Sequence, residues 1–454
     1  MNKFLLTAIA VATLLPAQLF AQAGTENPNT KATLYVSRAN GNNRNDGSKA
    51  APFKNLQKAL DVAKEGTTIM VAEGNYYGLM NSGNIIIKTP VTIMGGYSSD
   101  FSKRDIINTP TMIQPTAESN GSAKGHGTIQ ICSVVAPQGY VILDGLIMDR
   151  GNSISYNAAH EGQPEGVDCP LMNPIGVKGI GGEDLTEQPV FTSETNMIYF
   201  DGKNGIVNHT NIIVRNCAFV NAPNFGIVGL LKGSLKVENN IFVNVRMSAM
   251  DVRGAAPDVM TEVDFKNNTV MFVWSRKKDL GDMGYGFRFV PGTSCNVENN
   301  IFGCACYSGL DRTHVDANPA REAKRNDAVV NNIFFLNRLT DLTLPGGGKN
   351  LRVSVEYFED VEALSKVSGN KTVSDPSVFK DKINAAYLKG FMTMKSSQEV
   401  SVDYNSTVNQ FNSAFGLNIQ GTGKTTTTMF ANRYPWKEAL KLFGAMSGVG
   451  AQKL

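Results

Sequence analysis

Three charged residues stand at equivalent places in successive copies of one short pattern: Asp251 in "SAMDVRG", Arg288 in "YGFRFVPG" and Asp311 in "SGLDRTH". Alternation along these segments, with "FGIVGLL" before them and "LTDLTLPG" after, reads as β-strand. It turns Ile227, Met250, Phe287, Leu310 and Leu342 inward and sets Val228, Asp251, Arg288, Asp311 and Asp341 in one outward column. Arg253 and Thr313 fall in the neighbouring outward column, with His314 at the strand end. Parallel strands lie about 4.8 Å apart, so Asp251 and Asp311 are expected roughly 9–10 Å apart. Inverting glycosidases hold their two carboxyls about 6.5–9.5 Å apart, with room for a water between. The intervening Arg288 suits a forked contact to a sugar carboxylate or sulfate. It would also hold both aspartates ionised, against a general-acid role. The same order of charges equally describes a solvated ion-pair ladder on a sheet face. Beside the column, "WSRKKDLGDMGYG" offers Trp274 and Tyr285 to stack on sugar rings, and Arg276, Lys277 and Lys278 to bind acidic groups.

What must hold such a column is written in a second repeat. "VRNCAF", "VENNIF", "FKNNTV", "VENNIF" and "VVNNIF" place Asn216, Asn239, Asn267, Asn299 and Asn331 at steps of 23, 28, 32 and 32 residues. Self-similarity at such a period marks a solenoid. The alternation in "NIIVRNCAFVN" is strand-like, so the coils are those of a parallel β-helix rather than stacked helix pairs. Asn tolerates the left-handed backbone needed at a sharp corner, and stacked Asn side chains hydrogen-bond from coil to coil. The following Ile-Phe points to the core. The motif is scaffold.

The chain divides accordingly. Residues 30–350 read as the β-helix, with a capping helix near 54–64 whose apolar face is Leu56, Ala59, Leu60 and Ala63. Such a helix covers an open solenoid end. Residues 351–454 read as a mixed, partly helical capping segment, with helices expected in "VEYFEDVEALSKVSG" and "YPWKEALKLFG". Residues 151–196, rich in Gly, Pro and polar groups, interrupt the coils and read as an insertion forming a cleft wall or plain surface, with Tyr156 and His160 as sugar contacts in the first case.

Composition narrows the partners. The 454 residues carry a formal net charge of +3, without the basic stripe that nucleic-acid binding needs. Residues 1–21 read as a signal peptide, with Lys3 ahead of "FLLTAIAVATLLPAQLF" and small residues for cleavage after Ala21 or Ala23. No Cys near that point offers lipid attachment, and no later stretch is long enough to span a membrane. A secreted or periplasmic protein is expected. The six cysteines show no disulfide or metal spacing and read as small buried apolar residues. "GTGKTTTT" at 421–428 lacks the first Gly of a phosphate loop and reads as a flexible loop.

The opening carries a further signal. Asp46-Gly47-Ser48, Pro52-Phe53, the helix around Ala59-Leu60, Thr68-Ile69 and Gly74-Asn75-Tyr76 resemble the start of exported bacterial right-handed β-helix proteins of the pectate-lyase-like superfamily. The resemblance implies an all-β, right-handed parallel β-helix. Its members include lyases, hydrolases, epimerases and non-catalytic binders, so it leaves activity open. The residues then support three readings of a polysaccharide-handling protein. A glycoside hydrolase would use Asp251 and Asp311 with Arg288, and needs no cofactor. A polysaccharide lyase would use Arg288 or Lys278 as base beside a neutralised uronate carboxylate, and admits Ca²⁺. A binding β-helix would do neither. In each, Arg253, Trp274, Arg276, Lys278, Tyr285 and His314 are the expected sugar contacts. The metal ligands, if any, and the oligomeric state are not legible.

Overall fold

The computed structural model describes residues 32–79, 83–115, 127–150, 196–274, 284–338, 340–346, 349–353, 366–385, 387–388, 391 and 434–454. Apart from one terminal hairpin, every described strand pairing is parallel, and the strands fall on three faces of a right-handed β-helix. The first face runs from Ala32–Val36 through Thr67–Ala72, Val91–Tyr97, Val135–Asp144, Asn208–Arg215, Thr261–Lys266 and Thr293–Glu298 to Ala328–Val330 and Lys366–Ser368. The second runs from Gly74–Tyr76 to Lys371–Val373. The third stacks Ile85–Ile87, Gly127–Cys132, Asn196–Asp201, Met250–Gly254, Tyr285–Arg288, Ser308–Asp311 and Thr340–Gly346. The strand Ile227–Glu238 belongs to two faces. Its start pairs Ile198 and Met250 through Ile227, and its end pairs Val263 through Leu235. The bend is at Gly233, whose φ is +118° and where a Cβ would sit 2.2 Å from the Thr210 carbonyl oxygen.

The Asn corners do what their chemistry suggests, but two neighbouring residues share the work. Asn216, Asn239, Asn267, Asn299 and Asn331 take φ of 54°, 57°, 52°, 55° and 55°, the left-handed conformation. The coil-to-coil ladder is carried mainly by the next residue. Asn240 accepts from the Cys217 N–H (2.9 Å), Asn268 from Asn240 (3.0 Å), Asn300 from Asn268 (2.8 Å) and Asn332 from Asn300 (2.9 Å). All four are fully buried, so the ladder satisfies main-chain groups that water cannot reach. Behind it Phe219, Phe242, Phe265, Phe302 and Phe334 follow one another through the core at centroid spacings of 4.2, 5.8, 6.1 and 5.8 Å. Each buried Phe contributes about 2 kcal/mol relative to exposure.

A second left-handed corner follows five residues on, at Asn221, Asn244, Phe272, Cys304 and Leu336. Bulky residues accept this conformation only where packing holds them. Here the C-terminal segment does so. Phe272 meets Tyr387, Phe391 and Tyr434 at 4.8, 5.7 and 5.5 Å.

The helix Leu56–Val62 lies within the expected span and packs Leu56 and Ala59 into the main core with Val36, Ile85 and Ile87, Leu60 and Ala63 lying against it, whereas the C-terminal end differs from expectation in two ways. At the other end the coils continue past residue 350. Within the expected helix "VEYFEDVEALSKVSG", Lys366–Ser368 is a strand that pairs with Ala328–Val330; residues 354–365 lie outside the described set. The described parts of the C-terminal segment lie along the side of the solenoid rather than across its end. Tyr434 donates to Asn221 and accepts from it, the Tyr387 hydroxyl donates to Asn244, and the Gln452 N–H donates to Asn239. This covers the outward apolar residues of the second face, among them Val220, Val243, Met271, Ile301 and Phe335.

Cys217, Cys295, Cys304 and Cys306 are buried thiols outside any disulfide among the described residues, and burial pushes the Cys217 and Cys295 thiols up to about 12. No helix among the described residues is long and apolar enough to cross a membrane. The expected signal peptide at 1–21, residues 151–195 of the insertion expected at 151–196 with Tyr156 and His160, and the loop at 421–428 lie outside the described residues, while Asn196 already begins the strand Asn196–Asp201.

Candidate functional site

The third face brings the predicted charges together. The bridge from Ser248 to Tyr285 aligns Asp251 with Arg288, and Arg288 pairs in register with Asp311. The next place in the column is Thr343, because Asp311 pairs with Thr343. Asp341, expected there, sits two residues earlier on its strand, where it accepts from Thr372 at 2.7 Å. Sequence reasoning missed Thr343, although aligning Leu342 with Leu310 sets Thr343, not Asp341, beside Asp311.

Arg288 is the hub. Its Nε donates to Asp311 Oδ2 at 3.0 Å and its Nη1 to Asp251 Oδ2 at 3.4 Å. Its guanidinium carbon lies 5.3 Å from the centre of the Tyr285 ring, a cation–π distance. Its Nη2 contacts His314 Nε2. An arginine N–H only donates, so Nε2 accepts and the imidazole proton sits on Nδ1. That contact needs a neutral ring. Burial first, and then the Arg288 charge, hold His314 below its ordinary value.

The two aspartates are not equivalent. Asp311 is 0% exposed. It accepts from the Thr313 N–H (3.2 Å), the Thr313 hydroxyl (2.7 Å), the Thr343 hydroxyl (2.9 Å) and Arg288. It therefore has neither a free face nor a path to a glycosidic oxygen. Among the described residues Asp251, 5% exposed, is held by two long contacts at 3.4 Å, from Arg288 and from Arg253. The guanidinium occupies the space between the carboxylates that an inverting mechanism reserves for water. Arg253 is the open member, with a side chain 53% exposed.

Trp274 is corrected. It belongs to the second face, is 2% exposed, packs on Phe391 at 5.1 Å and donates Nε1–H to Asn244 at 2.7 Å. The C-terminal segment covers it, so it offers no sugar platform. Tyr285 stays at the site but is 7% exposed and edge-on to Tyr307 at 5.2 Å. Arg276 and Lys278 lie outside the described residues.

A charge network that the sequence reading passed over fixes His314. In "DRTHVDANPAREAKRND", Arg312 and Arg325 both donate to the His314 carbonyl, at 3.2 and 3.1 Å. Arg312 is held by Asp327 (2.8 Å) and Glu322 (2.9 Å), and Arg325 by Asp327 (2.8 Å). The signal was there, as a run of alternating charges at a strand end.

The site's donors do not fit Ca²⁺. Asp251 and Asp311 already flank a cation, and a divalent ion between them would have to displace Arg288. No cluster of three or more His, Cys, Asp or Glu side chains with ligand geometry occurs among the described residues.

Comparison with known proteins places the chain. Its first 34%-identical relative is the uncharacterized protein YwoF of Bacillus subtilis (strain 168), aligned over 74 residues, so the chain spans 16% of that protein and the match 16% of this one. Among solved structures, a GH136 lacto-N-biosidase from Eubacterium ramulus superposes with a TM-score of 0.35 and 10% identity, covering 75% of this chain and 68% of that one. Pectate lyase Pel9A gives a TM-score of 0.35 and 15% identity, covering 83% of this chain and 90% of its own. The family described as "Protein of unknown function (DUF1565)" matches residues 39–332, from the start of the coils through the charged column to the last Asn corner, and to that family the chain belongs.

Proposed function

We propose that this is an exported protein that binds an acidic polysaccharide on the third face and cleaves it by β-elimination. One observation carries the reading: His314 Nε2 lies against Arg288, near the open Arg253, while Asp311 is buried and fully engaged. Paired-acid hydrolysis needs two carboxyls that reach the glycosidic bond, whereas elimination needs one base and a cation at the sugar carboxylate.

The steps follow from the chemistry. A uronate carboxylate pairs with Arg288 and Arg253, which neutralise it and make the adjacent C–H acidic. Docking draws Arg288 away from Nε2 and frees the lone pair of His314. His314 takes the proton, the C–H electrons form a carbon–carbon double bond, and the bond to the next sugar's oxygen breaks. Water protonates the departing oxygen. Arg288, named with Lys278 as a candidate base in the lyase reading of the sequence, acts instead as the charge neutraliser.

Incubation with a panel of polyuronates and neutral glycans tests this. The expected product from a polyuronate is an unsaturated sugar with new ultraviolet absorbance, lost in His314→Gln and Arg288→Ala. Saturated products abolished by Asp251→Asn would establish hydrolysis instead. Absence of binding and cleavage across all uronates would refute the reading.

A further inference from the structure

The column does not stop at Asp251. Strand register carries it back through Val228, which pairs with Asp251, to Tyr199, which pairs with Val228. The adjacent column runs from Arg253 to Leu230. Exposure changes along this line. Asp311 and Thr343 are fully buried, Asp251 and Arg288 nearly so, Val228 and Tyr199 are partly exposed, and Leu230 is 47% exposed. The face is closed on the C-terminal side of Arg288 and open on the N-terminal side. Beyond Tyr199 the column closes again at Gln130, which is 5% exposed.

We propose that Tyr199, with Val228 and Leu230, forms a sugar-binding floor, and that an acidic glycan lies across the strands from Arg288 toward Tyr199, with its bound residues on that one side. This rests on the reading of the site given above and extends it to substrate placement. Three strand spacings separate Arg288 from Tyr199, roughly 14 Å. A pyranose residue advances a chain by about one strand spacing, so successive sugars would meet successive strands. Val228 and Leu230 offer apolar surface to the C–H face of the rings, and the partly exposed Tyr199 offers a ring to stack on. Asp201, partly exposed beside Tyr199, accepts from Gln130 and takes a weak contact from the Cys132 thiol at 3.8 Å. Its negative charge disfavours a second uronate carboxylate there, so the far sugar is expected to be neutral or to turn its carboxylate away.

Calorimetric binding of short and long oligouronates to the intact protein separates this claim from the one it rests on. In the wild type, affinity is expected to rise with length until the chain reaches Tyr199. Tyr199→Ala should lower affinity for the long oligomer about tenfold and leave the short one unchanged. Tyr199→Phe should restore it. Arg288→Ala should weaken both lengths equally. If Tyr199→Ala and wild type bind both lengths alike while Arg288→Ala weakens them, the floor is refuted and the site stands. If no oligouronate binds the wild type, both are refuted. Unchanged melting of the Tyr199 variants excludes misfolding as the cause, and Tyr199→Phe decides the matter if the Ala variant melts early.

Discussion

Replacing Asn300 with Ala tests whether the buried ladder, rather than the left-handed corner beside it, holds the coils together. The Asn300 side chain is fully buried. Its Nδ2 donates to the Phe265 carbonyl at 2.8 Å and to Asn332 Oδ1 at 2.9 Å, and its Oδ1 accepts from the Asn268 main-chain N–H at 2.8 Å and Asn268 Nδ2 at 3.2 Å. Truncation leaves two buried main-chain groups without these partners, at about 1–3 kcal/mol each, so about 4 kcal/mol in all. Asn299, one residue earlier, has φ of 55°. Ala there costs the left-handed penalty alone, about 1–2 kcal/mol, and Gly removes even that. Urea unfolding followed by circular dichroism should therefore rank the variants as Asn299→Gly, Asn299→Ala and Asn300→Ala, in order of increasing loss. Coils interact only with their neighbours, so hydrogen exchange should quicken first at the Asn268 amide and the coils around it. Equal losses for Asn299→Ala and Asn300→Ala, or unchanged protection at Asn268, would refute the reasoning.

Two further outcomes follow from particular contacts. Trp274→Ala should cost about 3–5 kcal/mol by the usual penalty for a buried large-to-small change, loosen the C-terminal segment and leave glycan affinity per folded molecule unchanged; a loss of affinity without a loss of stability would restore Trp274 as a sugar contact. His314 has a folded value below its unfolded one, which is near 6.5. As pH falls from above 6.5 the unfolded chain takes up a proton that the folded chain refuses, so stability should drop until the folded value is reached. His314→Gln should flatten that part of the stability profile, and an unchanged slope would show that the ring is not held neutral.

The sequence made the coils legible because the same local problem recurs with the same residue. At the first corner every described copy between Asn216 and Asn331 needs a left-handed residue, and Asn supplies it each time. The second corner poses the same backbone problem at Asn221, Asn244, Phe272, Cys304 and Leu336, yet its residue types drift. There the strain is offset by packing against Tyr387, Phe391 and Tyr434, far away in the chain, and no local pattern records such a partner. Trp274 was misread for the same cause: alternation reports that a side chain leaves the core, not that another segment covers it.

The charged column shows the same limit in a sharper form. Parity placed Asp251, Arg288 and Asp311 on one face in the right order, and it chose wrongly between Asp341 and Thr343 because both flank Leu342. It said nothing of depth. An outward polar residue stays wet only while water is its best partner. Asp311 has Thr313, Thr343 and Arg288 within hydrogen-bond reach, so it is buried at no cost in unmet bonds. Asp251 has two contacts at the edge of bonding distance, and Arg253 is mostly in solvent. Satisfaction thus falls off from Asp311 and Arg288 to Asp251 in the column and Arg253 in the column beside it. A ladder built only for stability would be satisfied along its whole length. Here the pairing is complete at Asp311 and Arg288 and gives way at Asp251 and Arg253, and an incoming carboxylate would supply the partner that the exposed Arg253 guanidinium meets only at 3.4 Å. That gradient is the physical ground for setting the glycan on the Arg253 side rather than over Asp311.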